Sequence, residues 1–224
     1  RGQEYHLSVA LPDSYETSTQ PYPVIYVLDG DFNFSVASGL TRFSNWFRRI
    51  PELIIVGIGY DIKTTDEFVA LRDLDFDVPG IPGASSDSVS HLFLDALTQE
   101  IIPFIDANYR TIPSDRCLQG YSSSAIFVLY VLFQQPDAFQ RYISGSAILN
   151  ATYDYWIQHA EQLAAHNADN PIQLYLSVGE LEEDDMPNFH KFVAFLEQGN
   201  YPGLTVSSEI YAGEGNGAEG IALT

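Results

Sequence analysis

The chain has 224 residues, with 10 Lys+Arg against 30 Asp+Glu, a formal net charge of −20. That length suits one domain over residues 1–224, and a hydrophobic content of 46% supplies a sizeable core and excludes wholesale disorder. So acidic a chain is expected to bind no nucleic acid and to avoid anionic membrane surfaces, because phosphates would be repelled.

Glu4 to Leu11 alternates polar and apolar residues and reads as an edge strand. A Pro/Ser/Thr-rich loop follows, then Tyr22 to Leu28, a β-rich run ending in the turn Asp29-Gly30-Asp31. Phe34 to Ile50 has helical spacing, and Leu53 to Tyr60 is a second buried strand. Asp61 to Asp87 shows no period and is expected to be a long functional or mobile loop. Ser88 to Tyr109 is an amphipathic helix that Pro103 should kink. Arg116 to Gln119 is a short strand, and Ser123 to Gln135 an apolar helix stopped by Pro136. Tyr142 to Gly145 (strand), Tyr153 to His166 (helix), Ile172 to Val178 (strand), Pro187 to Gln198 (helix) and Leu204 to Tyr211 (strand) complete the series. Strands alternating with helices predict an α/β fold: a mostly parallel sheet with helices on both faces.

Cys117 is the one cysteine, so an internal disulfide framework and a cysteine-based zinc site are excluded. One thiol fits a reducing compartment, and an exported enzyme without disulfides is equally compatible. Arg1 opens the chain without an initiator Met or a visible signal peptide, so the start reads as trimmed. The longest apolar run, Ala125 to Phe133, falls far short of the ~20 residues needed to span a bilayer. No membrane insertion is expected.

The sharpest local feature is Gly120-Tyr121-Ser122-Ser123-Ser124-Ala125, between a strand and an apolar helix. A serine on such a turn sits in a strained backbone, with its hydroxyl raised at the carboxyl edge of the sheet. The free N–H groups of the helix start can then face a developing oxyanion. Gly120 and Ser122 match G-x-S-x-G, with Ser124 in place of the last glycine. A plain serine-rich helix cap would look similar.

Across nearly its whole length the chain resembles the esterase D-like branch of the α/β-hydrolase superfamily, which includes enterobactin, salmochelin and feruloyl esterases. The matching segments are YHLSVALPDSY, YPVIYVLDGDFNF, VGIGY, the pair Arg72-Asp73, EIIPFIDANYR, RCLQGYSSSA, PDAFQRYISGSAIL, LYLSVGELEE and YAGEGNG. The resemblance implies an α/β-hydrolase fold and a serine carboxylic-ester hydrolase that forms an acyl-enzyme on Ser122, acts on a small-molecule ester and uses no cofactor or metal. The N–H of Ser123 would be one oxyanion donor, and that of Asp31 or Phe32 the second. A plain Asp-rich surface turn is the alternative for that segment. The acid would follow the sixth strand in Gly179-Glu180-Leu181-Glu182. Glu182 is favoured, with Glu180 and Glu183 near enough to be confused with it. Arg72-Asp73 would act as an ion pair anchoring the long loop. Tyr153, Tyr155 and Trp156 would line the substrate pocket, unless they pack in the core.

The resemblance breaks at the histidine, expected in a G-E-small-H-small segment after the last strand. Here the residues are Gly213-Glu214-Gly215-Asn216-Gly217, with Asn216 at the histidine position. Asparagine takes no proton at neutral pH and cannot be a general base. The five histidines, His6, His91, His159, His166 and His190, all lie elsewhere, and His159 is the least implausible substitute. The chain is then an inactivated variant, a natural non-catalytic relative or an enzyme with another base, and a non-enzymatic ligand-binding protein on the same fold is the rival reading. Relatives continue with a further helix, so the end at Thr224 reads as truncated.

Overall fold

The computed structural model describes residues 2–166 and 169–216. Its strands are β1 (His6–Ala10), β2 (Tyr22–Val27), β3 (Ile54–Gly59), β4 (Thr111–Tyr121), β5 (Arg141–Gly145), β6 (Ile172–Gly179) and β7 (Leu204–Tyr211). They form one sheet in the order β1-β3-β2-β4-β5-β6-β7. Only β1 runs antiparallel, at an edge against β3, while every other neighbouring pair is parallel. Parallel pairing demands crossovers, and helices supply them. These are α1 (Gly30–Trp46), α2 (Thr65–Phe76), α3 (Ser90–Ala96), α4 (Ile102–Asn108), α5 (Ser123–Gln134), α6 (Leu149–Gln158), α7 (Glu161–Ala164) and α8 (Met186–Gln198).

Side chains alternate across each strand, so β2 sends Tyr22, Val24 and Tyr26 to one face and Val27 to the other. The first face carries the main core, which takes in residues of α2 to α8. The second holds a small cluster of Val27, Ala37 and Ile55 under α1. Helix α5 is buried nearly all round, from Ser124 to Leu129 and Val131 to Phe133. This explains why its sequence shows no amphipathic stripe. The ring of Phe133 lies 5.3 Å from that of Trp156, and Phe127 lies 4.8 Å from Phe93.

One expectation needs correction. The stretch 61–87 is not a structureless loop, because α2 occupies its first half. Its start is signed by Thr64-x-x-Glu67: the Thr64 hydroxyl accepts the Glu67 N–H (3.2 Å), and the Glu67 carboxylate accepts the Lys63 N–H (2.9 Å). The helix was hidden because its apolar residues form no clear stripe. Near Pro103, the expected kink takes the form of a wider π-type turn over Leu97–Ile101, after which α4 begins with the proline in its first turn. An added residue in the turn is one way a helix absorbs a lost N–H donor. Among the described residues, no helix is long and apolar enough to cross a membrane.

Candidate active site

In a parallel sheet the carboxyl ends of the strands share one edge, where loops converge. Here that edge gathers Asp29 after β2, Ser122 after β4, Ser146 after β5, Glu182 after β6 and Asn216 after β7.

Ser122 lies between β4 and α5 with φ 60° and ψ −123°. Such a conformation costs a non-glycine residue ~1–3 kcal/mol and survives only when its surroundings impose it. They do: the Ser122 N–H donates to the Gly145 carbonyl (2.9 Å), and the Ser122 carbonyl accepts the N–H of Ala125 (2.9 Å) and Ile126 (3.2 Å). Gly120 lets helix and strand meet, since a Cβ there would fall 2.4 Å from the Ser124 carbonyl oxygen. Because glycine tolerates positive φ, Ser122→Gly is expected to be more stable than Ser122→Ala by about 1 kcal/mol or more. Matched urea denaturation of the two variants checks this.

Ser124, where the motif has its last glycine, is more than a tolerated small residue. Its fully buried hydroxyl donates to Asp29 Oδ2 (2.7 Å) and accepts the Tyr121 N–H (2.8 Å). Arg72 joins from α2. Its Nε and Nη2 donate to the two oxygens of Asp29 (2.8 and 2.9 Å), Nη2 also to the Tyr121 carbonyl (2.9 Å), and Nη1 to Ser123 Oγ (3.2 Å). The partner of Arg72 is therefore Asp29, 43 residues away in sequence, and not its neighbour Asp73. A contiguous Arg-Asp pair on a helix points its side chains in different directions, so sequence adjacency misleads.

The turn after β2 is not a plain surface turn. Asp29 is 4% exposed, adopts a left-handed conformation (φ 53°) and opens α1. Its carbonyl accepts the N–H of Phe32 (3.0 Å) and Asn33 (2.9 Å). The Phe32 N–H is thus spent, and its ring is 54% exposed. Among the described residues the N–H groups of Asp31 and Ser123 meet no backbone acceptor, and the Asp31 carboxylate accepts the Tyr60 N–H (2.8 Å).

Glu182 accepts the Gly179 N–H (2.9 Å) and Ser146 Oγ (2.6 Å) at Oε1, and Asn216 Nδ2 (3.2 Å) at Oε2. Glu180 is turned elsewhere and accepts the Gly213 N–H (2.7 Å), and Glu183 is exposed. The loop carrying Asn216 is latched to this one through Leu181 N–H to the Glu214 carbonyl (2.8 Å). Gly179 admits it, because a Cβ there would lie 2.5 Å from that same oxygen. Gly217 lies outside the described residues.

Asp185 neighbours this site, buried, with one oxygen accepting the Asn150 N–H (2.7 Å). Burial pushes its carboxyl above the usual carboxylate range; the Asn150 N–H pulls it back, and the charges of Glu182 and Asp184 push it further up. The folded state therefore holds this proton more tightly than the unfolded chain. Its contribution to stability is full below about pH 4 and declines as pH rises through the raised folded value. Asp185→Asn keeps the acceptor and removes the charge, so it is expected to abolish that decline and to raise the urea midpoint at pH 7.

The remaining candidates separate. Tyr155 is half-buried and stacks on the His159 ring at 4.0 Å, and Tyr153 is half-buried against the core. Trp156 is wholly buried and packs on Phe133. It lines no open surface, because a helix cannot turn adjacent residues 155 and 156 to one side. His6, His91, His159 and His190 are exposed, and His159 uses Nδ1 on the Tyr155 carbonyl (2.8 Å). His166 is buried between the Asn170 carbonyl (2.6 Å) and Asp137 (3.2 Å). Cys117 is buried on β4, which pushes its thiol up to about 12 and leaves it unreactive at neutral pH. Among the described residues, no cluster of three His, Cys, Asp or Glu could hold a metal ion.

The Esterase family model ("Putative esterase") matches residues 1–198. The chain belongs to this family. It is 29% identical over 201 residues to the ferri-bacillibactin esterase BesA of Bacillus subtilis, covering 80% of this chain and 66% of that protein. The chain thus spans just under two thirds of the length of that curated relative. The fold is also that of the BES protein from Bacillus cereus (TM-score 0.82, 24% identity, 99% of this chain and 87% of that one). The siderophore hydrolase EstA from Aspergillus nidulans shares it (TM-score 0.83, 21% identity, 98% and 86%). These likenesses identify the fold as that of the α/β-hydrolase esterases.

Proposed function

We propose that this chain is a serine carboxylic-ester hydrolase scaffold with Ser122 as nucleophile, Glu182 as acid, and a general base missing because Asn216 stands at the histidine position. The observation that carries the reading is the contact of Asn216 Nδ2 with Glu182 Oε2 (3.2 Å), since a catalytic imidazole would donate its Nδ1–H to that same carboxylate. The strained Ser122 supports it, as do the N–H groups of Ser123 and Asp31, which meet no backbone acceptor among the described residues; Asp31 is the better second donor, because Phe32 has used its N–H on Asp29. In this mechanism Ser122 Oγ attacks the ester carbonyl, and the oxyanion is held by the two N–H groups. The C–O bond to the alcohol then breaks, leaving an acyl-enzyme that water cleaves. The proton leaving Ser122 needs an acceptor that can later protonate the alcohol, and a carboxamide is none.

The substrate class is a small-molecule ester. Relatives named for siderophore esters make those the first to try. A second reading, a ligand-binding protein that has given up turnover, is favoured by Asn216 alone. The two are separated by an activated fluorophosphonate. The hydrolase reading expects slow covalent labelling that Ser122→Ala abolishes. Undiminished labelling in Ser122→Ala would refute Ser122. Ester binding by the chain with no labelling at all would establish the binding-protein reading instead.

A further inference from the structure

Resting on the reading of Ser122 as nucleophile, we propose that Arg72 and Asp29 are positioning residues that set the spacing of the two oxyanion donors. The donors lie on different elements: Ser123 N–H opens α5 beyond β4, and Asp31 N–H lies in the first turn of α1 beyond β2. Strand pairing between β2 and β4 stops at Val27↔Gln119, short of both donors. Beyond it, Leu28 N–H still reaches the Gln119 carbonyl (3.0 Å), and then the chains diverge into their helices. A donor pair must be held within ~0.5 Å of its productive geometry to stabilise an oxyanion. Something past the ladder has to fix it.

The Asp29 carboxylate and the Arg72 guanidinium are built to do so. Asp29 is two residues before Asp31, and its carbonyl ties the first turn of α1. Its carboxylate is gripped by Arg72 at both oxygens and by Ser124 Oγ. The same guanidinium holds the Tyr121 carbonyl and Ser123 Oγ, on either side of Ser122. One planar cation therefore bridges both halves of the donor pair, and each of its nitrogens is used. It is held in turn by the rings of Phe68 and Phe76, whose centroids lie 5.7 and 5.9 Å from its central carbon. Lysine has no planar fork and reaches one of these acceptors at a time.

The test reads the rate at which a fluorophosphonate labels Ser122, in the parent chain and in Asn216→His. Arg72→Met is expected to slow labelling about 10- to 100-fold in both, with saturating concentration changed less than threefold, since a misaimed donor costs transition-state stabilisation and little ground-state binding. Arg72→Lys is expected to recover only part. Where Arg72→Met fails to fold, Asp29→Asn, which keeps the shape and loses the charge, is expected to slow labelling in the same way. An unchanged maximal labelling rate in folded Arg72→Met or Asp29→Asn, with only the melting temperature lowered, would overturn the clasp and leave Ser122 standing. Absence of labelling in both parent and Asn216→His would overturn Ser122 and the clasp together.

Discussion

Asn216→His is expected to raise the rate of ester hydrolysis by about two to four orders of magnitude, the usual contribution of a positioned general base. The acceptor for its Nδ1–H is already present. Glu182 Oε2 takes the Asn216 amide at 3.2 Å, while Oε1 is occupied by Gly179 N–H and Ser146 Oγ. The carboxylate is thus oriented by the rest of the protein and needs no rebuilding. The far nitrogen of the imidazole would take the Ser122 proton and return it to the leaving alcohol. The gain should be confined to folded protein and vanish in Asn216→His, Ser122→Ala. Initial rates on a short activated ester, from pH 5 to 9, check it: the restored activity should rise through the titration of the new imidazole. A folded Asn216→His chain no faster than its parent would mean that this position is not the base.

Breaking the Asp29–Arg72 pair is expected to give the largest loss of stability of any polar substitution at the site. Their side chains are only 6% and 18% exposed, so truncating either leaves a desolvated charge without its partner. Such losses run to about 3–5 kcal/mol, whereas removing both charges costs much less than the sum. Asp29→Ala should therefore cost about 3–5 kcal/mol. Asp29→Ala, Arg72→Met should cost clearly less than its two single variants combined. Urea denaturation of the four proteins gives the coupling. Additive losses would show that the two groups do not depend on one another.

The strand-to-helix turn at Ser122 was legible because the signal is local. Gly120 and Ser122 between an apolar strand and an apolar helix can adopt few backbone conformations, and the helix is buried all round, as its composition requires. The strand succession was legible for the same reason, since runs such as 22–27 and 54–59 are too apolar to face water. Where periodicity was weak the reading failed. Helix α2 carries no apolar stripe, so periodicity does not reveal it, although Thr64 and Glu67 mark its start.

The sequence by itself determined which residues are on offer: a serine on a strand-to-helix turn, a glutamate three residues past a strand-ending glycine, and an asparagine after the last strand, to which the proposed function gives the roles of nucleophile, acid and displaced base. Those follow from residue type and short spacing. The tertiary structure decided the pairings. It gave Arg72 to Asp29 instead of Asp73, tied the Phe32 N–H to the Asp29 carbonyl, set Asn216 against Glu182 while Glu180 holds the Gly213 N–H, and buried Trp156 in the core. Each of these depends on which strand ends lie side by side and which way a helix faces its sheet. Contacts across 34 to 95 residues arise only when the sheet assembles, because hydrogen bonding between distant carboxylates, amides and guanidinium groups is set by distance in space, which spacing along the chain does not encode.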